Sequence, residues 1–134
     1  MSTGTSLPQP RQEAIILIVD DDAEIRRVLQ QMFNAIGVRA ICAFSGEAAL
    51  EVFRVRGREI SLVILDLNMP GLGSEGTLRR MKEIDSDVKV MLTSGLDEGG
   101  VPEELKALGI AGFIPKPFEY WQLKQIAHEL LSVS

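Results

Sequence analysis

The hydrophobic positions of the chain form two alternating patterns. Short runs rich in Val, Ile and Leu are separated by longer stretches in which apolar residues recur every three or four positions. The runs predict strands buried on both faces, and the stretches predict amphipathic helices that cover them. Five such units follow Ala14, which is typical of strands and helices alternating around a parallel sheet. The predicted strands are Ile15 to Val19, Val38 to Ala43, Ile60 to Leu65, Val88 to Thr93 and Gly112 to Ile114.

The helices are predicted from apolar spacing and from signals at their ends. The first helix ends at Gly37, a natural C-terminal cap, and Asp22 suits the cap at its beginning. The fourth is the shortest, with Pro102 at its first position and Gly109 closing it. The apolar positions of the other helices are Ala48, Ala49, Val52 and Phe53 in the second, Leu78, Met81 and Ile84 in the third, and Leu123, Ile126, Ala127 and Leu130 in the fifth.

Right-handed crossovers between parallel strands place helices on both faces of the sheet. The fold class is therefore α/β, with a doubly wound five-stranded parallel sheet. In such sheets ligands bind beyond the carboxyl ends of the strands, where the winding direction reverses. Functional residues are expected at those ends.

Composition limits the function classes. The 134 residues, of which 46% are hydrophobic and 25% charged, suit one compact soluble domain. A net charge of −5 disfavours binding to nucleic acid or to anionic membranes. The single Cys42 cannot form an internal disulfide, which favours a cytoplasmic protein. Residues 1–13 lack a signal-peptide pattern and are expected to be a flexible tail before a domain spanning 14–134.

Carboxylates follow two of the predicted strands directly. Asp20, Asp21 and Asp22 come after the first strand, and Asp66 comes after the third. Two carboxylates about 5 Å apart repel by about 3 kcal/mol at an effective dielectric of about 20, so the cluster requires a cation or raised pKa values. Oxygen ligands without His or Cys favour Mg²⁺. Asp22 alone is better explained as a helix cap.

Two further polar side chains end strands at the same edge. Lys116 ends the fifth strand and Ser94 ends the fourth. Alone, each has an ordinary explanation, because an isolated Lys is usually a solvated surface residue and a Ser commonly caps a turn. Beside the acids, they add a cation and a hydroxyl donor to one site.

Together these residues resemble the response-regulator receiver family of two-component signalling, and the resemblance covers the chain from Ala14 to its end. It rests on four motifs in the expected order and spacing: Val-Asp-Asp at 19–21, Asp-Leu-Asn-Met-Pro-Gly at 66–71, Thr-Ser-Gly at 93–95 and Lys-Pro-Phe at 116–118. The resemblance implies a flavodoxin-like (βα)5 fold with strand order 2-1-3-4-5. It also implies a receiver without enzymatic turnover beyond self-phosphorylation and autodephosphorylation.

The resemblance implies a role for each site residue. Asp66 would be the phosphoacceptor, with Mg²⁺ held by Asp66, Asp21, Asp20 mainly through water, and the backbone carbonyl of Asn68, whose side chain would be free. Ser94 and Lys116 would contact phosphoryl oxygens, and Ser94 and Phe113 would form the switch. The Lys116-Pro117 bond is expected to be cis.

The same resemblance implies the partners. The donor would be a histidine kinase or a histidine phosphotransfer protein. Phosphorylation would change the surface of the fourth helix, fifth strand and fifth helix, and a homodimer through this surface is a further expectation.

At three places the sequence departs from the family pattern or places a condition on the fold. Many members carry an Asp-Gly pair where this chain has Gly73-Ser74, and Ser74 is a candidate cap for the third helix. Pro115 requires the fifth strand to be a sheet edge. Leu96 cannot position a water that would hydrolyse an acyl phosphate, whereas the Asn68 side chain could. The two residues point to different phosphate lifetimes, so the lifetime does not follow from the sequence.

Three other functions fit the same residues less well. A small Mg²⁺-dependent aspartyl-phosphate phosphatase resembling the haloacid dehalogenases would need Asp-x-Asp-x-Thr or Val, and Asp20 to Glu24 lacks the last residue. A flavodoxin-like cofactor binder would place its phosphate against three aspartates, which would repel it. A receiver fold kept only for binding should lack an acid or the lysine, and none is missing.

Overall fold

The computed structural model describes residues 14–95 and 101–131. The expected tail at 1–13 and the prediction for Leu96 lie outside these residues. The strands are β1 (Ile15–Val19), β2 (Arg39–Ala43), β3 (Ile60–Asp66), β4 (Val90–Ser94) and β5 (Gly112–Pro115). The helices are α1 (Ala23–Ile36), α2 (Gly46–Arg56), α3 (Gly73–Ile84), α4 (Glu103–Leu108) and α5 (Tyr120–Leu131), and a 3-10 turn, Gly57–Glu59, follows α2.

The five strands form one parallel sheet in the order β2-β1-β3-β4-β5, as the resemblance implied. Helices α1 and α5 cover one face, where Phe33 and Leu123 are fully buried. Helices α2, α3 and α4 cover the other face with Phe53, Met81 and Leu105. β1 and β3 are buried on both faces, which explains their uninterrupted apolar sequences.

Local signals set the ends of α1 as the sequence predicts. The Asp22 carboxylate accepts hydrogen bonds from the backbone amides of Glu24 at 2.9 Å and Ile25 at 3.4 Å. Gly37 ends the helix with φ of 100°, a left-handed conformation that glycine adopts without strain. The turn between β1 and α1 is therefore fixed close to Asp20 and Asp21.

Two predicted helix beginnings need correction. The residue preceding α3 is Leu72, and Ser74 lies inside the first turn with its hydroxyl donating to the Leu67 carbonyl at 3.1 Å. The prediction that Ser74 caps α3 was therefore wrong, because the hydroxyl donates to a carbonyl of the loop after β3 and does not accept from a helix amide. Pro102 is the N-cap of α4 and not its first helical residue, a difference of one position. Pro115 does lie on an edge strand, as expected.

Candidate functional site

Three carboxylates meet at the carboxyl edge of the sheet. Asp66 ends β3 and Asp20 follows β1, and these strands are neighbours that pair Val19 with Leu65. Oxygen atoms from Asp20, Asp21 and Asp66 all lie within 4.8 Å of one another. Asp20 and Asp66 are each only 2% exposed, whereas Asp21 is exposed. The cluster therefore opens to solvent beside Asp21.

Lys116 reaches this cluster from the far side of β4. Its Nζ lies 3.0 Å from Asp20 Oδ2 and 3.3 Å from Asp66 Oδ1. Its backbone amide donates to the Ser94 carbonyl at 2.9 Å, and the following peptide bond to Pro117 is cis, as the resemblance implied. One ammonium thus contacts both buried acids.

Burial and charge perturb two groups of the site. Burial raises the pKa of Asp66 above its usual value, and the nearby charge of Asp20 raises it further, while Lys116 and the Asn68 amide oppose the rise. Burial acts to lower the pKa of Lys116, but its hydrogen bond to Asp20 and the charges of both acids raise it overall. Lys116 is therefore firmly protonated at neutral pH.

Asp20 is held by contacts that the sequence analysis did not identify. Arg26, one turn into α1, donates from Nη1 to the Asp20 backbone carbonyl at 2.7 Å. The Asp22 amide donates to Asp20 Oδ1 at 2.9 Å, and the Asp20 amide donates to the Ala43 carbonyl at 3.2 Å. The spacing of Arg26 after the Asp run was the available signal. In a helix that begins at residue 23, the side chain of residue 26 is tilted back toward the helix N-terminus, where Asp20 lies.

Ser94 and Asn68 lie together beside Asp66. Ser94 is buried at the end of β4, and the Asn68 side chain donates from Nδ2 to its Oγ at 3.4 Å. The expectation that the Asn68 side chain is free was therefore wrong. The Asn68 amide also donates to Asp66 Oδ1 at 3.3 Å. The loop after β3 thus connects the end of β4 to the acid cluster.

Phe113, the second residue of β5, is half-buried against the cluster of apolar residues under α2, α3 and α4. It pairs in register with Leu92, two residues before Ser94. The structure places it one strand away from the predicted switch serine.

The donor set fits a hard divalent cation. Among the residues that the structure describes, the group of His, Cys, Asp and Glu that could hold a metal consists of three aspartates. Carboxylates with room for water on one side suit Mg²⁺, which keeps several water ligands. The partial neutralisation by Lys116 leaves net negative charge at the site, which favours a cation.

Comparison with known proteins decides the family. The family model for the response regulator receiver domain matches residues 16–128. The chain belongs to this family. It is a receiver domain of two-component signalling, and neither the match nor the fold favours the phosphatase alternative.

Several relatives and solved structures are similar to this receiver domain. It is 34% identical over 116 residues to sporulation initiation phosphotransferase F of Bacillus subtilis (strain 168), covering 87% of the chain and 92% of that protein. It is 37% identical over 115 residues to the probable transcriptional regulator ycf27 of Pyropia yezoensis, covering 84% of the chain and 45% of that protein. The chain thus spans less than half the length of the ycf27 relative.

Among solved structures, a response regulator receiver domain protein from Clostridium thermocellum shares the fold, with a TM-score of 0.80 at 24% identity over 88% of this chain and 94% of that one. A chain of the CheX-CheY-BeF3-Mg²⁺ complex from Borrelia burgdorferi has a TM-score of 0.78 at 28% identity, covering 87% and 88% of the two chains. No helix within residues 14–95 and 101–131 is long and apolar enough to cross a membrane.

Proposed function

We propose that this receiver domain takes a phosphoryl group onto Asp66 from a phosphohistidine, in a reaction that requires Mg²⁺. The observation that carries the proposal is the position of Asp66: a buried carboxylate at a strand end, 3.3 Å from Lys116 and beside two further acids. A buried carboxylate surrounded by a cation and a metal-binding group is suited to attack an anionic phosphorus centre.

Asp20, Asp21 and Asp66 would hold the Mg²⁺, with the backbone carbonyl of Asn68 as a further ligand. Bound there, the ion would neutralise negative charge on the acids and on the incoming phosphoryl group. A chain of the CheX-CheY complex from Borrelia burgdorferi resembles this receiver domain, and that complex contains BeF3 and Mg²⁺ by its title, which supports the proposal that Mg²⁺ takes part.

The remaining residues act on the phosphoryl group and the acceptor. An Asp66 oxygen forms a bond to phosphorus while the phosphorus–nitrogen bond of the donor histidine breaks, and the departing imidazole keeps the electron pair and takes up a proton. Lys116 binds one phosphoryl oxygen and Ser94 donates a hydrogen bond to another. The charge of Lys116 also favours the carboxylate form of Asp66, because it opposes the rise in the pKa of Asp66.

Phosphorylation is proposed to act on the rest of the domain through Ser94 and Phe113. Ser94 moves toward the phosphoryl group and Phe113 changes its rotamer, which alters the surface formed by α4, β5 and α5. Homodimerisation through this surface is part of the proposal. The proposed donor is a histidine kinase or a histidine phosphotransfer protein. The receiver domain is proposed to work in the cytoplasm. It would catalyse its own phosphorylation and dephosphorylation, without turnover of other substrates.

Acetyl phosphate with Mg²⁺, followed by intact-mass measurement, tests the assignment. The wild-type chain should gain the mass of one phosphoryl group, and Asp66→Asn should gain none, because the amide cannot act as the acceptor.

Asp22→Asn is the matched control, since it changes an acid of the same run that lies outside the cluster and Asn remains a good N-cap. It should be labelled like the wild type. Labelling of Asp66→Asn at the wild-type rate would refute the assignment of the acceptor.

A further inference from the structure

A large aromatic side chain is exposed beside the acid cluster. Phe44 follows β2 directly and is 63% exposed. β1 and β2 pair Val19 with Ala43, so Asp20 and Phe44 occupy the next positions of neighbouring strands, about 5 Å apart between backbones. Phe44 thus lies at the same carboxyl edge of the sheet as Asp66, with β1 between their two strands.

The backbone on both sides of Phe44 is fixed. The Ala43 carbonyl accepts a hydrogen bond from the Asp20 amide at 3.2 Å. The Ser45 hydroxyl caps α2 by accepting from the Ala48 amide at 3.0 Å. A hydrophobic side chain presented from such a backbone loses little freedom when a partner covers it, which favours its use as an anchor.

Transfer from a protein donor requires that the donor cover the carboxyl edge of the sheet. Asp66 is 2% exposed, so a donor imidazole can come within bonding distance of it only if the donor surface lies against the carboxyl ends of the strands. The geometry points to Phe44 as an anchor that is buried under the phosphodonor protein and contributes to its affinity. This inference rests on the proposed function, because the donor is the partner that must approach Asp66.

The neighbouring charges define the donor surface. Asp21 and Asp22 are exposed after β1, the strand that pairs with β2, and Glu47 is exposed three residues after Phe44 in the first turn of α2. The complementary donor surface therefore has an apolar patch for Phe44, flanked by Lys or Arg side chains. The association of the two proteins should weaken as the salt concentration is raised.

The experiment uses one purified histidine phosphotransfer domain that binds the wild-type chain. Its Kd for wild type and for Phe44→Ala is measured by calorimetry in its unphosphorylated form. Each variant is also labelled with acetyl phosphate, which is too small to need the anchor. Phe44→Ala should weaken binding by about tenfold or more while the rate of acetyl phosphate labelling stays within about twofold of wild type. Phe44→Tyr should restore most of the affinity.

Val55→Ala is the matched control. Val55 is 81% exposed but lies at the C-terminal end of α2, away from Phe44 and the first turn of that helix. Its Kd should equal that of the wild type. An unchanged Kd for Phe44→Ala, or equal weakening by Val55→Ala, would overturn the inference. Because the Kd is measured on unphosphorylated proteins, failure of acetyl phosphate to label the wild type would count against the Asp66 assignment alone.

Discussion

Asp66 combines burial, a neighbouring acid and a neighbouring cation in one position. In the absence of metal its pKa is raised, so the folded protein binds this proton more tightly than the unfolded chain does. The stability contribution of the group is therefore largest below about pH 4, the usual pKa of an aspartate, and it is lost as the pH rises from there through the raised value.

In EDTA, Asp66→Asn should consequently be more stable than the wild type at neutral pH. The amide removes the cost of ionising a buried acid, and Lys116 keeps its partner Asp20 at 3.0 Å. Urea unfolding at pH 7.0 and pH 4.5 measures the difference, and the gain should shrink at the lower pH. A gain of equal size at both pH values would show that packing, and not ionisation, is responsible.

The sequence predicted which residue types line the site, but several contacts within it depend on the folded chain. Strand-end positions were sufficient to place Asp20, Asp66 and Lys116 at one edge. The hydrogen bond from Asn68 to Ser94 joins the loop after β3 to the last residue of β4, 26 residues along the chain, and no local pattern signals such a bond. Arg26 had a usable signal in its helix position. The Ser74 hydroxyl could either accept from a helix amide as a cap or donate to a nearby carbonyl, and the folded loop after β3 decides for the carbonyl of Leu67.

The junction between α2 and α3 depends on a glycine that the sequence analysis did not single out. Gly46, the first residue of α2, is buried against Thr77 of α3, and a Cβ built on it would lie 2.0 Å from Thr77 Oγ1. That oxygen donates to the Gly73 carbonyl at 2.7 Å. The two helices can pack this closely only because residue 46 has no side chain.

Gly46→Ala should therefore lower the free energy of unfolding by about 1–3 kcal/mol, as expected for overpacking, despite the better helix propensity of Ala. Thermal or urea unfolding provides the measurement. In a Thr77→Ala background the clash with Oγ1 is removed, so the same substitution should cost clearly less. An equal cost in both backgrounds would place the strain elsewhere.

At the scale of the whole molecule, the fold gathers charge at one end of the sheet. The apolar pattern of β1 and β3 was enough to predict a parallel sheet, and hence an edge where acids from separate strands meet. The strand order came from the family motifs, because periodicity alone does not say which strands are neighbours. Repulsion within the resulting cluster is a cost of the metal-free fold that a bound cation would remove.

Mg²⁺ should therefore stabilise the folded domain against unfolding. At ten times its Kd the linkage contribution is about 1.4 kcal/mol, which corresponds to a rise in Tm of about 5 °C for a domain of this size. Asp21→Asn should lose most of this rise, because it removes an exposed carboxylate of the cluster while leaving the Lys116 contacts in place. Asp22→Asn should keep it, and NaCl at matched ionic strength should not reproduce it. Equal shifts in both variants would mean that Mg²⁺ acts on the acidic surface in general and not at the Asp20, Asp21 and Asp66 site.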